Sequence, residues 1–320
     1  MTEMTSFDRF LGAKDFIGAE SLFKKQLLEA EIIDPSNDRT WAQYANQISR
    51  EIEKIDDRCA FWLRLSQFFE NDLETKWGHL HKGHIFFWLG LTCLLEDVAK
   101  AKIWLEKALE EDRELERIRG TKNLENSSAY VTLCLIERIE DSHFNPDVEK
   151  QKFFKELFPR SFDAAIFGQE IDPERIKKSI TNIVPKESLD QALELKRELD
   201  MVSRQRLQTA TISLAGSFLE SVLLGILYYK HSHKTNSKGT DIHGLQLGEL
   251  FKEADLLAAK GEKVFPSDSI EASCKTIHLF RNRLHPGNEL KQKYKLTERV
   301  AVTVKNLLDS ALLDWSKNLP

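Results

Sequence analysis

The stretch "SLAGSFLESVLLGILYY", residues 213–229, is apolar almost throughout and carries a single charge, Glu220, near its middle. A helix that crosses a bilayer needs about 20 apolar residues. Seventeen with a carboxylate at the centre is instead the pattern of a core helix wrapped by other helices, so no membrane is expected. A carboxylate in that position needs a cationic partner. The surrounding sequence supplies the wrapping. The 320 residues include only 14 glycines and 8 prolines, long windows repeat apolar residues at helical spacing, and no convincing alternating strand is found. The chain reads as all-α.

A length of 320 residues favours two domains over one. Hydrophobic residues make up 41% and charged residues 30%, the balance of a folded soluble protein. The net charge of −5 excludes a generally cationic nucleic-acid binder, so any such role must rest on a local basic patch. Cys59, Cys93, Cys134 and Cys274 are far apart in sequence, form no C-x-x-C pair and lie in apolar helical contexts, which reads as buried free thiols. The opening MTEMTSFDRF lacks a basic region followed by an apolar core, so the expected location is the cytoplasm.

Residues 1–140 carry a faint internal repeat. "DFIGAESLFKKQL" (15–27) aligns with "DVAKAKIWLEKAL" (97–109), matching Asp15 to Asp97, Ala19 to Ala101, Phe23 to Leu105 and Leu27 to Leu109. A weaker copy begins at "DDRCAFWLRLSQFF" (56–69). The offset is about two units of ~40 residues, in the range of helical-hairpin repeats. Small residues such as Ala19 and Ala101 let a neighbouring helix approach, and the large residues after them fill the groove. "FFWLGLTCLLEDVAKAKIWLEKALEED" (86–112) reads as one hairpin, with Trp88, Leu89 and Leu91 before a turn at Glu96-Asp97 and Ala101, Leu105, Ala108 and Leu109 after it. It resembles a degenerate tetratricopeptide repeat. Such an array implies a protein or peptide partner. Trp41, Trp62, Trp77, Trp88 and Trp104 all fall in this half, as solenoid core or as the lining of a ligand groove.

Residues 141–187 read as a connector of short helices punctuated by Pro146, Pro159, Pro173 and Pro185. Ser188 can then cap a helix running toward Leu207. Within 188–320 the apolar helix is followed by a polar loop (230–244), a helix over 247–262, a helix capped by Asp268 with Glu271, and a last helix after Thr297.

The fourth of these carries "HLFRNRLHPGNE" (278–289) at its end. Arg281 and His285 are four apart and share a helix face with His278, and Pro286 ends the helix there. A guanidinium in that place can clamp a phosphate, an imidazole can move protons near neutral pH, and Asn282 can orient either. "LAGSFLES" and "FRNRLHPGN", in this order, resemble the HEPN superfamily of helical bundles found in prokaryotic defence and toxin systems. The family motif is an arginine, a polar residue and a histidine four to six residues on. Here three residues separate Arg281 from His285, the spacing of its "RN…HP" branch. The resemblance covers roughly residues 190–318. It implies a homodimer with two Arg281/His285 pairs facing across the two-fold axis, and metal-independent RNA cleavage with no cofactor. His285 would help deprotonate a ribose 2′-hydroxyl and Arg281 would stabilise the charge developing on the scissile phosphate. Asn282 completes the catalytic set, with His278 and Glu220 supporting it.

Arg283, Lys291, Lys293 and Lys295, with Tyr294 among them, form a basic cluster able to track an RNA backbone while the tyrosine stacks on a base. The alternative is a solvated loop. For Arg281 and His285 the alternative is structural, Arg281 pairing with Glu220 and His285 capping the helix end. The chain is then a non-catalytic interaction or dimerisation protein, or an RNA- or nucleotide-binding module. "HLHKGH" (79–84), with a turn expected at Gly83, and the loop histidines His231, His233 and His243 are weak metal candidates, lacking carboxylate or cysteine partners in sequence. No metal site is expected. No P-loop, dinucleotide fingerprint, H-E-x-x-H or nucleophile elbow is present.

Overall fold

A computed structural model describes residues 15–28, 45–46, 48–68, 76–141, 147–157, 171–282, 284 and 293–319. The described residues are mostly helical, with no strand beyond one isolated bridge between Thr235 and Asp241. The chain divides into two compact units, Met1–Tyr130 and Val131–Pro320.

The first unit contains α1 (Phe16–Leu28), α2 (Ile55–Phe68), α3 (Lys76–Leu94) and α4 (Val98–Arg119). The α3–α4 hairpin is its centre. Asp97 starts α4 by accepting from the Lys100 amide at 3.0 Å, and Gly120 ends it in the left-handed region (φ 65°), donating its N–H to the Glu116 carbonyl. The helices meet closely because α3 has no side chain at Gly90, where a Cβ would come within 2.7 Å of the Leu105 side chain. Ala101, Leu105, Ala108 and Leu109 are all buried against it. The aligned residues of α1 and α4 play equivalent parts, since Ala19 and Phe23 are buried like Ala101 and Leu105. Trp62 and Trp88 stack in parallel at 6.1 Å as core, with the Trp62 indole donating to Ser49 at 3.0 Å. Trp41 and the Trp77 side chain lie outside the described residues. Gly83 makes no turn. It lies inside α3, and the Asp112 carboxylate packs over it. The cysteines, distant in sequence, are not all distant in space, because Cys59 and Cys93 bring their sulfurs to 3.6 Å between α2 and α3.

Helix α5 (Ser128–Glu140) spans the division. The second unit continues with α6 (Asp147–Leu157), α7 (Pro173–Ile183), α8 (Leu189–Arg204), α9 (Gln208–Gly225), α10 (Leu247–Ala259), α11 (Asp268–Asn282) and α12 (Glu298–Lys317). The apolar stretch forms α9 and continues through a π turn to Lys230, a 23-residue helix. Length alone therefore fails to separate it from a membrane span, as does its mean hydropathy of 1.7. The helix is largely buried, with 67% of its most apolar stretch covered inside the fold. It packs on α8, α10, α11 and α12. Helices α6 and α7, in the segment expected to be a connector, pack on α11 and α12. Asp172 caps α7 with Pro173 in its first turn, and Ile176, Ile180 and Ile183 make its buried face.

Two expected caps are corrected. The Ser188 hydroxyl donates back to the Pro185 carbonyl at 3.3 Å, and α8 starts without a side-chain cap. Ser267, not Asp268, caps α11 by accepting from the Ile270 amide at 3.4 Å. Thr297 does cap α12, accepting from Val300 at 3.3 Å.

Candidate functional site

Helix α11 is anchored by Ile270, Cys274, Ile277 and Phe280, all buried. This face fixes the rotation of the helix, which carries His278, Arg281 and Asn282 to its edge, against α9 and α10. On α9, Gly216 and Glu220 lie one turn apart on one face. The Arg281 side chain crosses over Gly216, where a Cβ would stand 2.2 Å from the arginine Cδ. The bare backbone there is the channel that lets the guanidinium reach Glu220, and Arg281 Nη1 lies 2.5 Å from Glu220 Oε2. Both side chains keep about 30% of their surface exposed (30% and 31%). Glu220 is therefore at the edge of the bundle, not deep in it as its sequence context implied. The helical period turns position 220 outward while Leu219 and Val222 point inward.

His278 packs against Gly248 of α10, where a Cβ would meet its Nε2 at 3.0 Å, and against the Phe251 ring at 5.6 Å. Asn282 Nδ2 lies 2.9 Å from His278 Nε2. If the amide donates, Nε2 carries the lone pair and the proton sits on Nδ1, which is buried without a hydrogen-bond partner. Burial pushes the His278 pKa below its ordinary value, and the Arg281 cation pushes it further; Glu220 opposes both. The imidazole is thus held neutral beside a paired guanidinium. Electrically the cluster offers a polarised Arg–Glu pair at the surface and a neutral, oriented imidazole behind it.

His285, Arg283 and Lys291 lie outside the described residues. Lys293 and Lys295 are exposed. Tyr294 corrects the expectation of a base-stacking ring. It is only 6% exposed, and its backbone is tied to α5. Its amide donates to Glu137 at 3.1 Å and its carbonyl accepts from the wholly buried Arg138 at 3.3 Å. Lys293 folds its ammonium over the same ring at 5.3 Å. Arg138 was not singled out by sequence. Its place in the apolar run "YVTLCLIERI" was the available signal, since a charge amid buried positions needs internal acceptors.

Three other histidines find carboxylates that sequence spacing did not pair with them. His79 meets Glu111 at 2.7 Å, His231 meets Glu262 at 3.1 Å and His233 meets Glu253 at 2.9 Å. His243 instead lies against the Tyr228 ring at 4.4 Å. Among the described residues no three metal-ligating side chains converge.

No protein-family model, curated protein or solved structure matches this chain.

Proposed function

We propose that the second unit is a HEPN-like bundle that acts, as a homodimer, as a metal-independent endoribonuclease, and that the first unit is a tetratricopeptide-like array that binds a protein or peptide. The observation that carries this reading is the gathering of Arg281, Asn282, His278 and Glu220 at the exposed end of α11, with Arg281 laid in a channel over Gly216. A guanidinium already oriented by a carboxylate loses little freedom when it binds a phosphate. In this mechanism His285, four residues beyond Arg281, takes the 2′-hydroxyl proton. Arg281 stabilises the phosphorane charge, and Asn282 and His278 hold the helix end in place. As the 2′-oxygen bonds to phosphorus the P–O5′ bond breaks, the departing 5′-oxygen takes a proton from the imidazolium or from water, and the products are a 2′,3′-cyclic phosphate and a 5′-hydroxyl.

A second reading is favoured by the 2.5 Å Arg281–Glu220 contact itself. In it the pair is a structural tie between α9 and α11, and the bundle serves dimerisation or RNA binding without cleavage. Incubation of an unstructured RNA and total tRNA in EDTA with the wild type and with His285→Ala separates the two. Cutting by the wild type alone supports the nuclease. Uncut RNA with both proteins supports the tie.

A further inference from the structure

A second feature of the Val131–Pro320 unit shares no residue with the α11 cluster. Helices α7 and α8 flank a groove of about 720 Å³ whose open apolar wall includes Pro173, Leu193 and Met201, with the buried Ile176 and Ile180 beneath it. A smaller recess of about 80 Å³ adjoins it, sharing Pro173, Ile176, Lys196, Asp200 and Arg204, and is floored by Lys305 and Asp309 of α12. The combined size falls in the range of small-molecule sites, roughly 300–1,000 Å³.

The recess floor is an ionic quartet. Lys196 Nζ lies 2.5 Å from Asp200 and 3.3 Å from Asp309, and Lys305 Nζ lies 2.6 Å from Asp309 and 3.5 Å from Asp200. The side chains of Lys196 and Asp309 are 7% and 2% exposed. The quartet is neutral as a whole, and its two carboxylates are used by its two ammonium groups. The charges left on the groove walls are Lys177, Arg197 and Arg204 against Glu174. Arg197 is loosely engaged by Glu194 at 3.7 Å. Among the described residues neither Lys177 nor Arg204 pairs with a carboxylate. Arg204 borders both cavities, at the junction of the apolar groove and the charged recess. Met201, one turn before it, leaves 53% of its surface exposed along the same wall. An exposed guanidinium with no carboxylate partner, beside an exposed apolar wall, is complementary to an anion with an apolar tail.

We propose that this groove binds a small amphipathic carboxylate, with its tail along Pro173, Leu193 and Met201 and its carboxylate on Arg204. Lys177 and Arg197 supply the surrounding positive field. Methionine suits such a wall because its unbranched side chain adapts to the tail. The site would let the second unit respond to an apolar acid independently of the chemistry at α11.

The test is isothermal titration of the full chain with octanoate, with octylamine as the charge-reversed probe and acetate as the tailless one. Octanoate should bind saturably at one site, and acetate and octylamine far more weakly. Arg204→Glu should weaken octanoate by about tenfold or more, the scale of losing a charge-assisted contact. Met201→Asp should do the same through the tail. Both residues are exposed, so thermal melts of the two variants should match the wild type. Octylamine binding as tightly as octanoate, octanoate binding indifferent to Arg204→Glu, or no saturable octanoate binding would each overturn the proposal.

Discussion

Arg281 reaches Glu220 by lying across Gly216, so a contact between two charges depends on a residue with no side chain. The pair is too exposed to stabilise the fold by more than about 1 kcal/mol. Gly216→Ala puts a methyl group in the space of the arginine Cδ, so the side chain must leave the channel, and the cost of that move, about 1 kcal/mol, is set against the helix propensity that alanine gains. The cost should fall sharply in the Gly216→Ala/Arg281→Ala double variant, because the clash is with that side chain. Urea unfolding of the two single variants and the double measures this coupling. Strict additivity would mean that Arg281 does not occupy the channel.

His278 makes stability pH-dependent in a stated direction. Its folded pKa is lowered by burial first and by Arg281 second. The unfolded chain, titrating near 6.5, therefore takes up the proton more readily than the folded one. Its contribution is whole above about pH 6.5 and is lost as the pH falls from there through the lower folded value. Glu220, facing the same ring, lessens the loss. Thermal melts between pH 7.5 and about 5 should show a decline that His278→Gln reduces. Parallel curves for the two proteins would place the acid sensitivity elsewhere.

Asp112 behaves oppositely. Burial pushes its carboxyl up to about 6, with Glu116 and Glu111 adding to the rise and Ser127 opposing it. Stability from this group is whole below its ordinary value near 3.8 and is lost as the pH rises to about 6. Asp112→Asn should therefore stabilise the protein by up to about 3 kcal/mol at pH 8, and by much less near pH 4. A melting shift that is the same at both values would rule out Asp112 as the titrating group.

The Cys59 and Cys93 sulfurs need to close from 3.6 Å to about 2.05 Å to bond. The hydrogen bond from Cys93 lowers the Cys59 pKa against the opposing effect of burial, favouring its thiolate. Treatment with diamide, which takes two electrons and two protons from a thiol pair, should reduce the four titratable thiols of the denatured protein to two. Cys59→Ser should keep all three of its own.

The helical character of the chain was legible because its glycines and prolines are few and its apolar residues recur at helical spacing. The 86–112 hairpin was legible for a sharper reason. Asp97 marks the helix start, and the small Ala101 marks the close approach. Gly90, which makes that approach possible, is invisible without knowing which residue opposes it. At the α11 site, periodicity put His278 and Arg281 on one edge and the Glu220 partnership followed from charge alone. The depth of Glu220 was misjudged because an apolar composition does not reveal which face of a helix its neighbours leave open. Tyr294 was misread because its lysine neighbours suggested a surface loop, whereas its backbone is held by Glu137 and Arg138, more than 150 positions earlier. The histidine–carboxylate pairs were missed for the same reason, each joining residues 20 to 32 positions apart.

The ends left on RNA test the ribonuclease reading most directly. Attack by a 2′-hydroxyl, assisted by His285 and stabilised by Arg281, can leave only a 2′,3′-cyclic phosphate and a 5′-hydroxyl. The decisive measurement is end-group analysis of an unstructured RNA incubated in EDTA with the wild type, Arg281→Ala and a substrate carrying a 2′-deoxy sugar at each position. Cyclic phosphate ends from the wild type, none from Arg281→Ala and none from the deoxy substrate are the expected result. Uncut RNA with all three, or 5′-phosphate ends that persist with the deoxy substrate, would contradict the mechanism.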